Sequence, residues 1–283
     1  MSYQFSRKRS AVKRAALLLF LICSALLGWM YHVATSEPVV RTTSIGVPGL
    51  AVSLRAILIS DIHVAGPDMP PARLQRIVGQ INAQRPDLVL IAGDFVSDKK
   101  ISTHQYSVPE AIAPLSGLSA RLGVVAVIGN HDHWRDAGAV RAELRRAGIH
   151  VLDNDALTVG PIAVGGVDDP FTGHDNLGRA IARMRSMPEP RILLSHSPDV
   201  FPHVPRDVTL TLAGHTHCGQ IRLPLIGALS TMSRYGEHYA CGRIDEGGRT
   251  LIVSAGLGTS LLPLRLGAAP DLWVIDLRPT KRD

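Results

Sequence analysis

The stretch VVAVIGNHDHW, residues 124–134, governs how this chain is read. Val124 to Ile128 is an uninterrupted apolar run rich in β-branched residues, the pattern of a short strand buried on both faces. It stops at Gly129, and Asn130, His131 and Asp132 follow at once. Two earlier stretches end in the same way: LRAILIS, residues 54–60, leads into Asp61 and His63, and DLVLIA, residues 87–92, leads into Gly93 and Asp94. Between them Pro70-Pro71 opens a helix with Leu74, Ile77, Val78 and Ile81 at helical spacing, and a second helix is expected around Pro109–Leu118. Strands alternating with helices predict an α/β fold with parallel strands. Functional side chains in such sheets gather at the carboxyl ends of the strands.

The alternation continues downstream. A helix over Ala137–Ala147 is followed by β stretches at Val151–Val159 and Ile162–Val167, a turn-rich Asp168–Gly173 segment and a helix from Leu177 to Met187. RILL, residues 191–194, ends at Ser195-His196, and VTLTLA, residues 208–213, ends at Gly214-His215-Thr216-His217. Cys218–Ser230 reads as a loop, Tyr239–Ile244 and Thr250–Ser254 as paired strands, Leu272–Leu277 as a last strand, and Arg278–Asp283 as a solvated tail. No repeat interrupts the pattern, so residues 50–283 are expected to form one catalytic domain.

Five of the six net positive charges come from Arg7, Lys8, Arg9, Lys13 and Arg14, ahead of the first acidic residue, Glu37. The body is therefore close to neutral, and nucleic acid is not the expected partner. Residues 1–14 are a basic N-terminal tip. Ala15–Ser36 carries no formal charge and closes on Trp29 and Tyr31; as a helix it spans the ~30 Å hydrocarbon layer. An uncleaved signal-anchor, a signal peptide cleaved near Val33-Ala34-Thr35 and a monotopic anchor all fit. The length of the apolar run favours the transmembrane signal-anchor, in the inner (cytoplasmic) membrane. Basic residues before the segment place the body on the extracytoplasmic side. Residues 37–49 read as a linker. Cys23 lies in the apolar segment, so Cys218 and Cys241 allow at most one disulfide, and no Cys-rich structural zinc site is present.

The residues that close the strands are metal-type donors. Asp-x-His at 61 and 63, and His-x-His at 215 and 217, place donors two apart, which an extended backbone points to one side. Carboxylate oxygen with imidazole nitrogen suits Mn, Fe or Zn with open coordination positions. Two ions about 3.5–4 Å apart need a shared ligand, and a carboxylate is the natural bridge. Asp94 is the candidate.

The order Asp61-x-His63, Gly93-Asp94, Gly129-Asn130-His131, His196 and Gly214-His215-Thr216-His217 resembles the calcineurin-like metallophosphoesterase superfamily. Ser254–Ser260 with Leu262-Pro263-Leu264-Arg265, Val167–Pro170, and Gly219-Gln220 with Leu223-Pro224 resemble its membrane-associated bacterial YaeI/YkuE-like branch. The resemblance implies a four-layer α/β/β/α sandwich of two mixed β-sheets behind the N-terminal transmembrane helix. It implies two divalent ions, one held by Asp61, His63 and His217, the other by Asn130, His196 and His215, with Asp94 bridging. A bridging hydroxide would then attack a phosphoester in line, and His131 would contact the phosphate or protonate the leaving oxygen. Where several branches have an Asp to support this His, the present chain has Ser97 followed by Asp98, so Asp98 or Asp132 is the candidate partner. Cys218 stands where the family often has Gly, near the ions or inertly packed. His133 and His174 are expected beside the site or on the surface.

The expected substrate is a phosphodiester, membrane-derived or lipid-linked, since the apolar Leu261–Leu264 loop and the anchor both suit an acyl-bearing molecule. Hydrolysis of a UDP-diacyl-sugar pyrophosphate in lipid A assembly is an alternative, as is a non-catalytic metal-binding membrane scaffold. An acyl hydrolase lacks support because there is no G-x-S-x-G elbow.

Overall fold

The computed structural model describes the backbone of residues 2–280 and side chains from residue 12 onward. Met1, the side chains of the basic tip as far as Ala11, and Lys281–Asp283 of the expected tail therefore lie outside the description. Among the described residues two six-stranded sheets face each other. The first runs in the order Val39–Pro48, Asp271–Thr280, Leu54–Ile59, Leu88–Ala92, Val124–Val127, His150–Val151. The second runs Gly242–Glu246, Arg249–Val253, Leu210–Ala213, Arg191–Ser195, Ile162–Val167, Asp155–Val159. Both are mixed: Leu54–Ile59, Leu88–Ala92 and Val124–Val127 pair in parallel, as do Ile162–Val167, Arg191–Ser195, Leu210–Ala213 and Arg249–Val253.

The two-residue period of a strand sorts their side chains into layers. Leu58, Leu90 and Val127 turn inward against Val164, Leu194, Leu212 and Ile252 of the facing sheet. Their neighbours Ile57, Ile59, Val89, Ile91 and Ala126 turn outward onto Leu74, Ile77 and Ile81 of the helix Pro71–Ala83, and onto Val140 and Leu144 of the helix Asn130–Arg146. Leu193 and Val167 meet Ala180, Ile181 and Met184 of the helix Leu177–Arg185 on the far side. The result is helix, sheet, sheet, helix, with continuous apolar strands because both faces of each sheet are covered.

Two expectations are corrected. Val39–Pro48, within the expected linker at residues 37–49, is an edge strand paired in parallel with Asp271–Thr280 over its whole length. Its polar first half faces solvent while Ile45 and Val47 are buried, a one-sided pattern that resembles linker composition in the sequence. The same pairing extends the last strand to Thr280, so Arg278–Thr280 is not tail. The helix expected at Ala137–Ala147 is found: a break at Asp136, where φ is −174° and ψ 88°, divides Asn130–Arg146 into a first helical segment that carries Asn130 and His131 and a second that starts at Ala137.

The N-terminal helix covers Ser2–Thr35, and Val12–Thr35 is apolar and long enough to be a candidate membrane span. Most of that length stands clear of the body. Its last turns do not: Met30 and Ala34 are buried, the Met30 carbonyl accepts from Arg265 N at 3.0 Å, and the Ser36 carbonyl accepts from the Arg73 guanidinium at 2.6 Å.

Candidate metal centre

All the strand-end motifs converge at one end of the two sheets. Asp61 and His63 lie just past Leu54–Ile59, Asp94 past Leu88–Ala92, Asn130 and His131 in the first helical turn after Val124–Val127, His196 past Arg191–Ser195, and His215 and His217 past Leu210–Ala213. The presentation differs from that expected of an extended pair. Asp61, His63, Asp94, His215 and His217 all have positive φ, 49°, 49°, 58°, 71° and 49°. These are left-handed turns, sparsely populated by non-glycine residues and held only where the surroundings impose them. Main-chain bonds impose them here: Asp61 N donates to the Gly93 carbonyl at 3.0 Å, and Ile62 N and His63 N to the Asp94 carbonyl at 2.8 and 3.0 Å. Two glycines let the chains close in. A Cβ on Gly129 would overlap the Asp94 carboxylate, and one on Gly214 would overlap that of Asp61.

The donor atoms face one another. Asp94 Oδ2 is 3.5 Å from His63 Nε2 and 3.2 Å from His196 Nε2, on two sides of the same carboxylate oxygen. On the first side His63 Nε2 meets His217 Nε2 at 3.1 Å, and His217 Nε2 lies 3.5 Å from Asp61 Oδ1. On the second, His196 Nε2 is 3.0 Å from Asn130 Oδ1 and 3.2 Å from His215 Nδ1. Ligands at about 2.1 Å from one divalent ion are separated by about 3.0–3.4 Å, the edge of an octahedron or tetrahedron. The second group, at 3.0–3.2 Å, has that spacing, and the first, at 3.1–3.5 Å, lies close to it.

Hydrogen bonds orient the imidazoles for such a role. His196 Nδ1 donates to the Ala92 carbonyl at 2.7 Å, and His215 Nε2 to the Met232 carbonyl at 3.2 Å, which turns the other nitrogen of each ring toward the donor cluster. Burial drives His63 and His217 well below the usual imidazole range and His215 down to about 3, so these rings are neutral. Two neutral rings whose Nε2 atoms meet at 3.1 Å need a cation or a single shared proton between them. Burial would raise Asp94, but His196, by its charge and its hydrogen bond, outweighs it and holds the carboxyl well below its ordinary value. Burial pushes Asp61 up to about 6, opposed by His196 and reinforced by Asp94. Burial opposes a charge on His196, but Asp94 and Asp61 outweigh it and raise this ring well above the usual imidazole range; buried carboxylates that draw positive charge into a cluster of nitrogen donors favour a cation, so the residues fit divalent metal ions.

His131 stands at the rim. Its Nδ1 is hydrogen-bonded to Asp98 and its Nε2 faces the cavity, 3.5 Å from Ser260 Oγ. Asp132 turns elsewhere. It accepts from the main-chain N–H groups of Gly129, Asp94, Phe95 and Val96 at 2.9–3.1 Å, tying two strand ends together. Cys218 is disulfide-bonded to Cys241, which the sequence permitted and did not require. His133 Nε2 donates to Asp168 at 2.8 Å, and the ring stacks on His174 at 4.0 Å.

Two buried cations escape a reading of the sequence. Arg265, fully buried, reaches the carbonyls of Ala255 and Gly256 at 2.8 and 3.1 Å and lies 3.3 Å from His217 Nδ1. Lys99 pairs with Asp68 at 2.6 Å, and Asp68 accepts from Thr259 at 2.7 Å, pinning the 254–260 loop. In the sequence Arg265 stands out only as part of a C-terminal pattern, and nothing local to Lys99 marks it as buried. Above the donors opens a cavity of about 300 Å³ walled by Trp134, Ile221, Leu229, Met232, Leu261 and Leu262, with His131 and Gln220 among its polar groups.

The profile of the calcineurin-like phosphoesterase family matches residues 54–219. This chain belongs to that family. It is 31% identical over 257 residues to the metallophosphoesterase YkuE of Bacillus subtilis, covering 88% of this chain and 87% of that protein. Identity to phosphodiesterase YaeI of Escherichia coli is 28% over 248 residues, with coverage of 80% and 83%. A Danio rerio protein named as a transmembrane protein with a metallophosphoesterase domain is 30% identical over 301 residues, covering 96% of this chain and 66% of that one. As a calcineurin-like phosphoesterase, the protein is a metal-dependent phosphoester hydrolase. The paired sheets agree with that fold.

Proposed function

We propose that the protein is a dinuclear phosphodiesterase acting on a membrane-derived or lipid-linked phosphoester. The supporting observation is the Asp94 carboxylate, shared between the His63 and His196 sides of the cluster. Asp61, His63, His217 and Asp94 would hold one ion, and Asp94, Asn130, His196 and His215 a second. Such ions acidify water at neutral pH and neutralise charge on phosphate oxygens. The chain supplies the rest. His131 Nε2, facing the cavity, gives its proton to the leaving oxygen as the P–O bond breaks, and the Asp98 carboxylate at Nδ1 orients the ring. Asp132 keeps the Asp94 and Asn130 turns in register, and Arg265 supports the His217 side. An acid so placed speaks for turnover and against a metal-binding scaffold.

The body is proposed to lie outside the cytoplasm, from the basic tip before the span and from the Cys218–Cys241 disulfide, a bond that persists in oxidising compartments. That side disfavours a nucleotide-sugar substrate, which would be met in the cytoplasm. The apolar walls of the cavity suit an acyl or prenyl substituent near the scissile phosphate. The test is metal-stripped protein reloaded with Mn²⁺, Fe²⁺ or Zn²⁺ and assayed on matched aryl phosphate diesters and monoesters, with bound metal counted. Diester turnover that needs two ions and falls in His131→Ala supports the reading; turnover by metal-free protein refutes it.

A further inference from the structure

The wall of the cavity is made of two loops that leave their largest apolar side chains in solvent. Leu225 and Ile226, at the tip of the hairpin formed by Arg222–Leu223 and Gly227–Ala228, are 108% and 72% exposed, and Leu261 on the facing loop is 71% exposed. Leu229 and Met232, which line the cavity together with Leu261, are exposed as well. A contiguous apolar surface around a site mouth marks a docking face.

The foot of this patch is where the N-terminal helix meets the body. Arg265 N donates to the Met30 carbonyl at 3.0 Å, while Arg222 N donates to Leu266 and Leu266 N to Gln220. Both loops thus spring from the strip that holds the end of the candidate span. Leu261 is four residues from Arg265, and Leu225 four residues from Ile221, which bridges to Leu266, so each lies within about 14 Å of its root by chain length. Trp29 and Tyr31, exposed on either side of Met30, are the residue types that settle at a bilayer interface.

We propose that the 222–229 hairpin and the 260–264 loop dip into the lipid interface beside the span, so that the mouth of the metal site faces the bilayer and receives its phosphoester from the membrane plane. This rests on the reading of Val12–Thr35 as a membrane span and deepens the lipid-substrate part of the proposed function. The occupant of the patch is the bilayer, by continuity with the helix. A helix fixed at Met30 and Arg265 leaves the body little freedom to turn this face away, and the Ser36 contact with Arg73 adds a second point that resists rotation about the helix axis.

The experiment uses the full chain in phosphatidylglycerol/phosphatidylethanolamine vesicles, with Cys23→Ser and a single reporter thiol at Leu225→Cys, Leu261→Cys or Arg145→Cys, each labelled with an environment-sensitive dye. Arg145 is exposed in the last turn of the Asn130–Arg146 segment, beyond the break at Asp136 and outside the cavity wall. Lipids carrying a shallow spin-label quencher should quench the 225 and 261 dyes at least about twofold more than the 145 dye. Equal quenching at all three positions overturns the proposal. So does a blue shift at 225 that depends on protein density and not on the quencher, since a second copy would then cover the patch. Hydrolysis of a water-soluble aryl phosphodiester in the same vesicles reports the hydrolase reading separately: quenching without hydrolysis would sink that reading and leave the membrane seating standing.

Discussion

A soluble fragment that begins at Leu50 should be much less stable than one that begins at Glu37, although residues 37–49 look dispensable in the sequence. The strand Val39–Pro48 pairs with Asp271–Thr280 through ten residues of register. It buries Ile45 and Val47, and at about 1.5–3 kcal/mol per fully buried aliphatic side chain the two contribute roughly 3–6 kcal/mol. The ladder bonds add about 0.5–1.5 kcal/mol each, largely offset by about 1–2 kcal/mol of backbone entropy per ordered residue. The apolar term therefore sets the net effect. Deletion also removes Arg41, which donates to the buried Asp271 carboxylate at 2.7 Å; Asp271 in turn holds Ser254 Oγ and Ala255 N, at the start of the loop that packs under Asp61. A loss of roughly 3–6 kcal/mol from a typical total of about 5–15 kcal/mol is severe. The assay is urea unfolding followed by tryptophan fluorescence, for which Trp273, paired with Arg41 in the ladder, is a local reporter. The midpoint should fall by about 1–2 M. Equal midpoints for the two fragments would overturn this account, showing that the edge strand contributes nothing beyond its own entropy.

His131→Ala is expected to lower kcat on poor leaving groups by about 10²–10⁴-fold, and much less on p-nitrophenolate, which leaves without a proton; equal losses on both would remove its role as acid. Asp98→Asn should reproduce part of that loss with the same dependence on the leaving group, since Asp98 acts by orienting the His131 ring; a loss equal on both substrates would remove that role. Gly214→Ala, whose methyl would press on the Asp61 carboxylate, should weaken metal binding by calorimetry while circular dichroism stays unchanged. Lys99→Met leaves Asp68 buried without its cation and should cost about 3–5 kcal/mol, with Asp68→Asn added to it restoring a part; thermal melts of the single and double variants decide. The pair Cys218→Ser and Cys241→Ser should lose about 3 kcal/mol of stability, given the 23-residue separation.

The layers and the metal donors are legible in local sequence. Uninterrupted runs such as Leu88–Ala92 and Val124–Val127 bury both faces of a strand, and in a parallel sheet their carboxyl ends must come together, so Asp94, Asn130 and His131 share one end. Other features depend on contacts made across the fold. Whether Val39–Pro48 is linker or strand depends on a partner more than two hundred residues away, and a half-polar edge strand carries no local mark of that pairing. Asp98 and Asp132 lie equally near the site in the chain, yet one turns to His131 and the other to main-chain N–H groups, a choice made by the left-handed turns that only packing can hold. The buried partners Lys99 and Arg265 and the docking of Met30 on Arg265 are likewise contacts between distant segments. Local composition records what a residue can do; which neighbour it does it with is set when the sheets close over each other and exclude water.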